Sequence, residues 1–180
     1  MIEFMVRSGV RGKFAATSRE RARTQIWSNA DKYLALGRQL SPEAGSRVVT
    51  VPKMTGVDEE MRNWSFFMLL KHHVIVNGVI CQIVEALVRG EEPKGVERMD
   101  PRRDVLPGSD AGEELVQRFE DSVNDYLAME KGLPVLRGTK ERPHPVFGLF
   151  DAHKWHCMFG FHLFVHFKQA KLVYSGAVGD

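Results

Sequence analysis

HKWHCMFGFHLFVHFKQAKLV, residues 153–173, is an apolar stretch of helical length that carries His162 and His166 four residues apart. Residues at i and i+4 lie on one helix face, one above the other, so the two imidazoles can share one metal ion. A second apolar helical stretch, MRNWSFFMLLKHHVIVN at 61–77, carries His72 and His73. These two helices are expected to assemble a metal site inside a helical bundle.

Working outward, the chain of 180 residues fits one domain with a sizeable core. Its 43% apolar and 27% charged content is that of a soluble globular protein. A net charge of +2 is too small to argue for nucleic acid or an anionic membrane as partner. Cys81 and Cys157 form no CxxC and no disulfide framework, which suits a reducing, cytoplasmic setting, with both read as buried free thiols. The first residues, MIEFMVRSGVRGKF, lack a secretory signal pattern, and Glu3 and Glu20 speak against a transit peptide. No run reaches the roughly 18 apolar residues needed to cross a membrane, since Asn77, Gln82 and Glu85 interrupt the closest one.

Four helices are expected. Residues 1–15 are an N-terminal arm of uncertain structure, with Ile2, Phe4 and Val6 alternating. The first helix spans about 18–40, where Ala22, Ile26, Ala30, Tyr33 and Leu34 recur at helical spacing. Pro42 stops it. Residues 41–57 form a connector in which Val48, Val49 and Val51 can extend. The second helix spans about 58–89 and ends at Gly90. Asn77-Gly78 resembles a hairpin turn, but Val74, Ile75 and Val76 do not alternate, so helix prevails. A close helix–helix approach would explain Gly78. A polar loop over 90–109, with its mixed charges at 98–103 solvated, leads to a third helix capped by Ser109 or Asp110 and running to about 131. Residues 132–150 are a loop before the last helix, 151–172, with Asp151 as its cap. The fold class is all-α, a four-helix bundle with long connecting loops in a single domain over 1–180.

The bland reading of a histidine on an apolar helix face is a core residue bonded to a carbonyl. HExxH is absent, because Leu163, Phe164 and Val165 separate the last pair. Several imidazoles among Phe, Leu and Val still need a common reason, since a buried ring costs free energy unless its nitrogens are satisfied. His72 and His73 stand about 100° apart on a helix, so one should face the bundle axis, and periodicity alone does not separate them. His153 is read as exposed, His156 as off the metal face, Trp64 and Trp155 as core anchors, and Asn77 and Gln82 as inter-helix hydrogen-bond partners.

The residues now quoted resemble the DinB/YfiT-like family of metal-binding four-helix proteins. Trp64-Ser65 with His72 eight residues after the Trp, then Trp155, His162, His166 and Gln169, match its short motifs, and HPVFG at 144–148 resembles a stretch found in some branches. The similarity covers about 15–172. It departs at Phe150, where a Ser or Thr cap is usual, and over 90–110, which matches nothing. The resemblance selects His72 over His73 and implies His72, His162 and His166 as metal ligands. Imidazoles suit zinc or nickel, with iron or copper also compatible. Three neutral histidines leave the ion an open position, as in catalytic sites. The resemblance further implies a thiol-dependent S-transferase acting on small electrophiles with a low-molecular-weight thiol as co-substrate, its pocket shaped by 41–57 and 132–150. A non-catalytic metal-binding or stress-related interaction bundle is the alternative, and a metal-dependent hydrolase the further one. No residue stands out as a general base. A homodimer is a candidate assembly, because bundles commonly pair through apolar helix faces.

Overall fold

The computed structural model describes residues 2–95 and 103–179. The protein is mostly helical, in the order α1 Ile2–Ala16, α2 Arg19–Gly37, α3 Pro42–Ser46, β1 Val49–Thr50, a 3-10 turn Glu59–Met61, β2 Asn63–Trp64, α4 Phe66–Val88, α5 Glu114–Gly132, β3 Arg142–His144, β4 Gly148–Phe150 and α6 Ala152–Val178. Helix α2 packs on α6, α6 on α4, α4 on α5 and α5 back on α2. The core lies between these four, around Ile26, Tyr33, Leu69, Phe119, Phe159 and Leu163.

Local chemistry sets most helix starts. The Ser18 hydroxyl accepts from the Arg21 amide, Ser65 from Met68, and Asp151 Oδ1 from Lys154, so each satisfies an amide that the first turn leaves open. Gly90, at φ +74°, closes α4, where a left-handed residue ends the helix without a Cβ clash. Asn77 sits inside α4, as expected, and its Nδ2 donates to Ser122 Oγ of α5 at 3.0 Å.

Several expectations are corrected. The N-terminal arm is helix α1, anchored by Phe14, which stands edge-on to Phe150 and Phe161. The alternation of Ile2, Phe4 and Val6 leaves this segment open, and it is helical. Helix α4 begins at Phe66 rather than near 58, because Asn63 and Trp64 pair with Thr50 and Val49 and Asp58 makes no side-chain cap. Helix α5 begins at Glu114, and Asp110 instead pairs with Lys71 at 2.6 Å. The loop before α6 contains the β3–β4 hairpin, and α6 continues to Val178. Cys157 is buried but Cys81 is only half-buried. Residues 98–102 of the charged loop lie outside the described residues. Helix α4, with 23 residues, is long and apolar enough to cross a membrane by length and composition, but half of its apolar window is buried inside the fold. Its hydropathy is that of a core helix packed on both α5 and α6.

Gly78 faces open space, since a Cβ there would meet nothing within 4 Å. The close approach is elsewhere. A Cβ on Gly160 of α6 would lie 3.2 Å from the Ile26 amide nitrogen of α2. At this juncture Asn29 Nδ2 donates to Gly160 O at 3.0 Å and the Tyr33 hydroxyl donates to Leu163 O at 2.7 Å. Gly45 of α3 sits against the buried Phe67 ring, inside whose van der Waals envelope a Cβ would fall. Opposite signs are therefore expected from two alanine substitutions. Gly78→Ala raises stability by about 0.4–1 kcal/mol, because it restricts the unfolded chain and clashes with nothing. Gly45→Ala lowers it by about 1–3 kcal/mol, because Phe67 must move in a close-packed core. Urea titration of the two variants checks both signs.

Candidate metal centre

Helix α4 carries His72 two turns beyond the Ser65 cap, and α6 carries His162 and His166 at i and i+4. The packing of α4 on α6 brings all three together, with one ring nitrogen from each lying within 4.8 Å of the other two. His72 and His166 are buried and His162 is partly so. The closest pair is His72 Nε2 and His162 Nε2, at 3.2 Å.

The hydrogen bonds behind the rings fix which nitrogens are free. His72 Nδ1 lies 2.8 Å from Val105 O, and a carbonyl can only accept, so Nδ1 carries the proton. His166 Nδ1 lies 2.9 Å from Gln169 Oε1. Gln169 Nε2 donates to Met61 O at 2.7 Å, which turns the amide oxygen towards His166 and makes Nδ1 the donor there too. Both rings therefore present unprotonated Nε2 atoms. A carbonyl or amide oxygen behind each ligating imidazole is the usual way a metal site fixes tautomer and orientation. Trp64 packs beside His72 with ring centres 5.2 Å apart.

Electrostatics favour the neutral, ligating form. Burial pushes the His72 pKa down to about 3, helped by the nearby His166 and opposed by the Val105 bond. Burial likewise lowers His162 and His166, with neighbouring imidazoles adding to the effect at His162 and the Gln169 bond opposing it at His166. The 3.2 Å between the Nε2 atoms also fits a shared ion, since a tetrahedron with metal–nitrogen bonds of about 2.0–2.1 Å has an edge of about 3.3–3.4 Å. The triad could hold a metal ion.

The remaining histidines divide differently from expectation. His73 does not point away from the axis. It is fully buried, with its ring 5.5 Å from that of His72, because α4 is covered by α5 and Tyr33 as well as by α6. His153 is buried rather than exposed, its Nε2 lying 2.9 Å from Thr17 O and 3.2 Å from Phe14 O at the end of α1. His156 is off the metal face, as expected. Its Nε2 donates to Arg19 O and its Nδ1 accepts from the Tyr126 hydroxyl at 2.9 Å. His144 Nδ1 accepts from the amides of Val146 and Phe147 and holds the β3–β4 turn.

No family model, no curated protein and no solved structure matches the chain.

The site's chemistry is therefore read from its own residues. Val105 is the contributor that sequence reasoning missed. It lies in the stretch that matched no motif, and it acts through its main-chain carbonyl, which every residue type supplies. A cleft of about 350 Å³ opens between α1, α2 and α6, lined by Lys13, Thr24, Asn29, Lys32 and Phe164 among others, and none of its lining residues is a histidine. Its lining also includes no residue of the 41–57 or 132–150 connectors.

Proposed function

We propose that the protein is a metal-dependent helical protein of the DinB/YfiT-like kind, with His72, His162 and His166 as ligands of a zinc or nickel ion. The observation that carries this reading is the convergence of the three rings with two of their tautomers already set by Val105 O and Gln169 Oε1. The cyclic packing of α2, α6, α4 and α5 supports a four-helix bundle of that family's type. The favoured activity is thiol-dependent S-transfer to a small electrophile. The ion, when bound, would favour the thiolate form of a coordinated thiol. The chain's own residues hold the imidazoles neutral, orient them through Val105 and Gln169, and exclude water behind them with Trp64 and the α4–α6 packing.

A second reading is a metal-binding bundle without catalysis, since no residue stands out as a general base.

Elemental analysis of protein prepared without a histidine tag tests the metal reading. The expected result is about one transition metal per chain in the wild type and a sharply lower content in His162→Ala. Wild type that takes up neither zinc nor nickel on reconstitution overturns it. With metal established, thiol consumption in the presence of a chlorinated aromatic supports S-transfer. Ester cleavage without thiol supports hydrolysis, and inactivity in both supports the non-catalytic bundle.

A further inference from the structure

His73 is 0% exposed, and neither of its ring nitrogens has a hydrogen-bond partner. A buried imidazole with both nitrogens unsatisfied is costly and needs a reason. Its position supplies one. The ring centre of His73 lies 5.5 Å from that of His72, 5.2 Å from His162 and 5.6 Å from His166. The other three centres are separated by 5.1, 5.1 and 4.7 Å. Four imidazoles thus mark the corners of a nearly regular tetrahedron. Imidazoles bound to one tetrahedral ion through bonds of about 2.0–2.1 Å have ring centres about 3.2 Å from it and therefore about 5.2 Å apart. The observed edges bracket that value.

We infer that His73 is an exchangeable fourth ligand of the ion held by His72, His162 and His166. The inference rests on the metal reading above and states how that site is regulated. The three mutually close donor atoms belong to the other histidines and not to His73. Rotation about the Cβ–Cγ bond, a broad torsion for histidine, moves the ring nitrogens while leaving the ring centre in place. Tyr33 edge-on at 4.8 Å and Phe119 at 5.9 Å flank the ring and offer it no hydrogen-bonding atom at their faces. With His73 rotated inward the coordination sphere is complete. An external thiolate or anion enters by displacing it, so apparent affinity for such ligands is reduced by the fraction of sites that His73 occupies. The lining of one small cluster thereby determines whether the ion is closed or open.

The test loads the full chain with cobalt(II) and counts imidazole nitrogens by X-ray absorption, with azide titration followed in the visible spectrum. The wild type is expected to show four imidazoles, and His73→Phe three with one oxygen donor and azide binding about tenfold tighter. Three imidazoles and an oxygen in the wild type overturn the inference while leaving the three-histidine site standing. Wild type that binds no cobalt overturns both readings. The wild-type count decides the matter even if the phenylalanine variant does not fold.

Discussion

Lowering the pH of the metal-free protein from 7 to 5 is expected to remove most of its stability. All seven histidines have pKa values pushed down by burial, His72 to about 3 and His156 to about 4. The unfolded chain takes up a proton at each near 6.5, whereas the folded chain does so only at the lower value. Between those values the unfolded state binds more protons, so stability falls as pH drops below about 6.5 and continues to fall towards 3 to 4. At pH 5 His72 and His156 each contribute a loss of about 2 kcal/mol. The other five act in the same direction. Total stabilities of about 5–15 kcal/mol leave little margin for such a sum. Circular dichroism at 25 °C should show a cooperative acid transition centred near pH 5, and an ion that binds only the folded triad should move it lower. The window lies above the usual carboxylate range, which separates it from acid unfolding through Asp and Glu. An unchanged helical signal and urea midpoint from pH 7 to 5 would show that the histidines protonate without leaving their sites.

Arg19→Ala should be among the most damaging substitutions of a charged residue. Glu130 is fully buried near the end of α5, and Arg19, the first residue of α2, pairs with its carboxylate. The same guanidinium donates to the carbonyls of Glu130, Leu133 at 3.0 Å and Pro134 at 2.6 Å, and so ties the end of α5 and the residues just beyond it to the start of α2. Arg23 is a weaker substitute, 3.7 Å from the other carboxylate oxygen. Removing one partner strands a buried charge, and the loss is about 3 kcal/mol. In a domain of this size that corresponds to a fall in Tm of roughly 6–12 °C. Adding Glu130→Gln to the variant should restore part of the loss, because a neutral amide is cheaper to bury than an unpaired carboxylate. A Tm within about 2 °C of the wild type would mean that Arg23 or water takes over the charge.

The elements that the sequence makes legible are those whose signals are local. Helices α2, α4, α5 and α6 carry apolar residues at helical spacing, and Asp151 reads as the cap of α6, whereas the Ser65 cap of α4 escapes a reading that starts this helix near 58. The His162–His166 pair reads directly as one helix face, and its partner His72 follows from a motif resemblance. Tertiary effects are less visible. Helix α1 is held by Phe14 against aromatic residues more than a hundred positions away, and the burial of His153 depends on that helix being there. Val105 contributes a carbonyl that no side chain advertises. The choice between His72 and His73 assumed one inward direction for α4. The helix has neighbours on two sides, so both rings are inside.

The juncture of α2 and α6 at Ile26 and Gly160 also constrains the order of events during synthesis. A ribosome delivers the chain at about 5–20 residues per second, and α6 follows every other described helix. Until it emerges, α2 lacks the backbone that Asn29 and Tyr33 grip, and His72 lacks both of its partner imidazoles. Closure of the helical assembly and completion of the triad are then one late step. A nascent chain that still lacks α6 presents no three-histidine cluster, so any ion that the triad holds would enter only after α6 has docked.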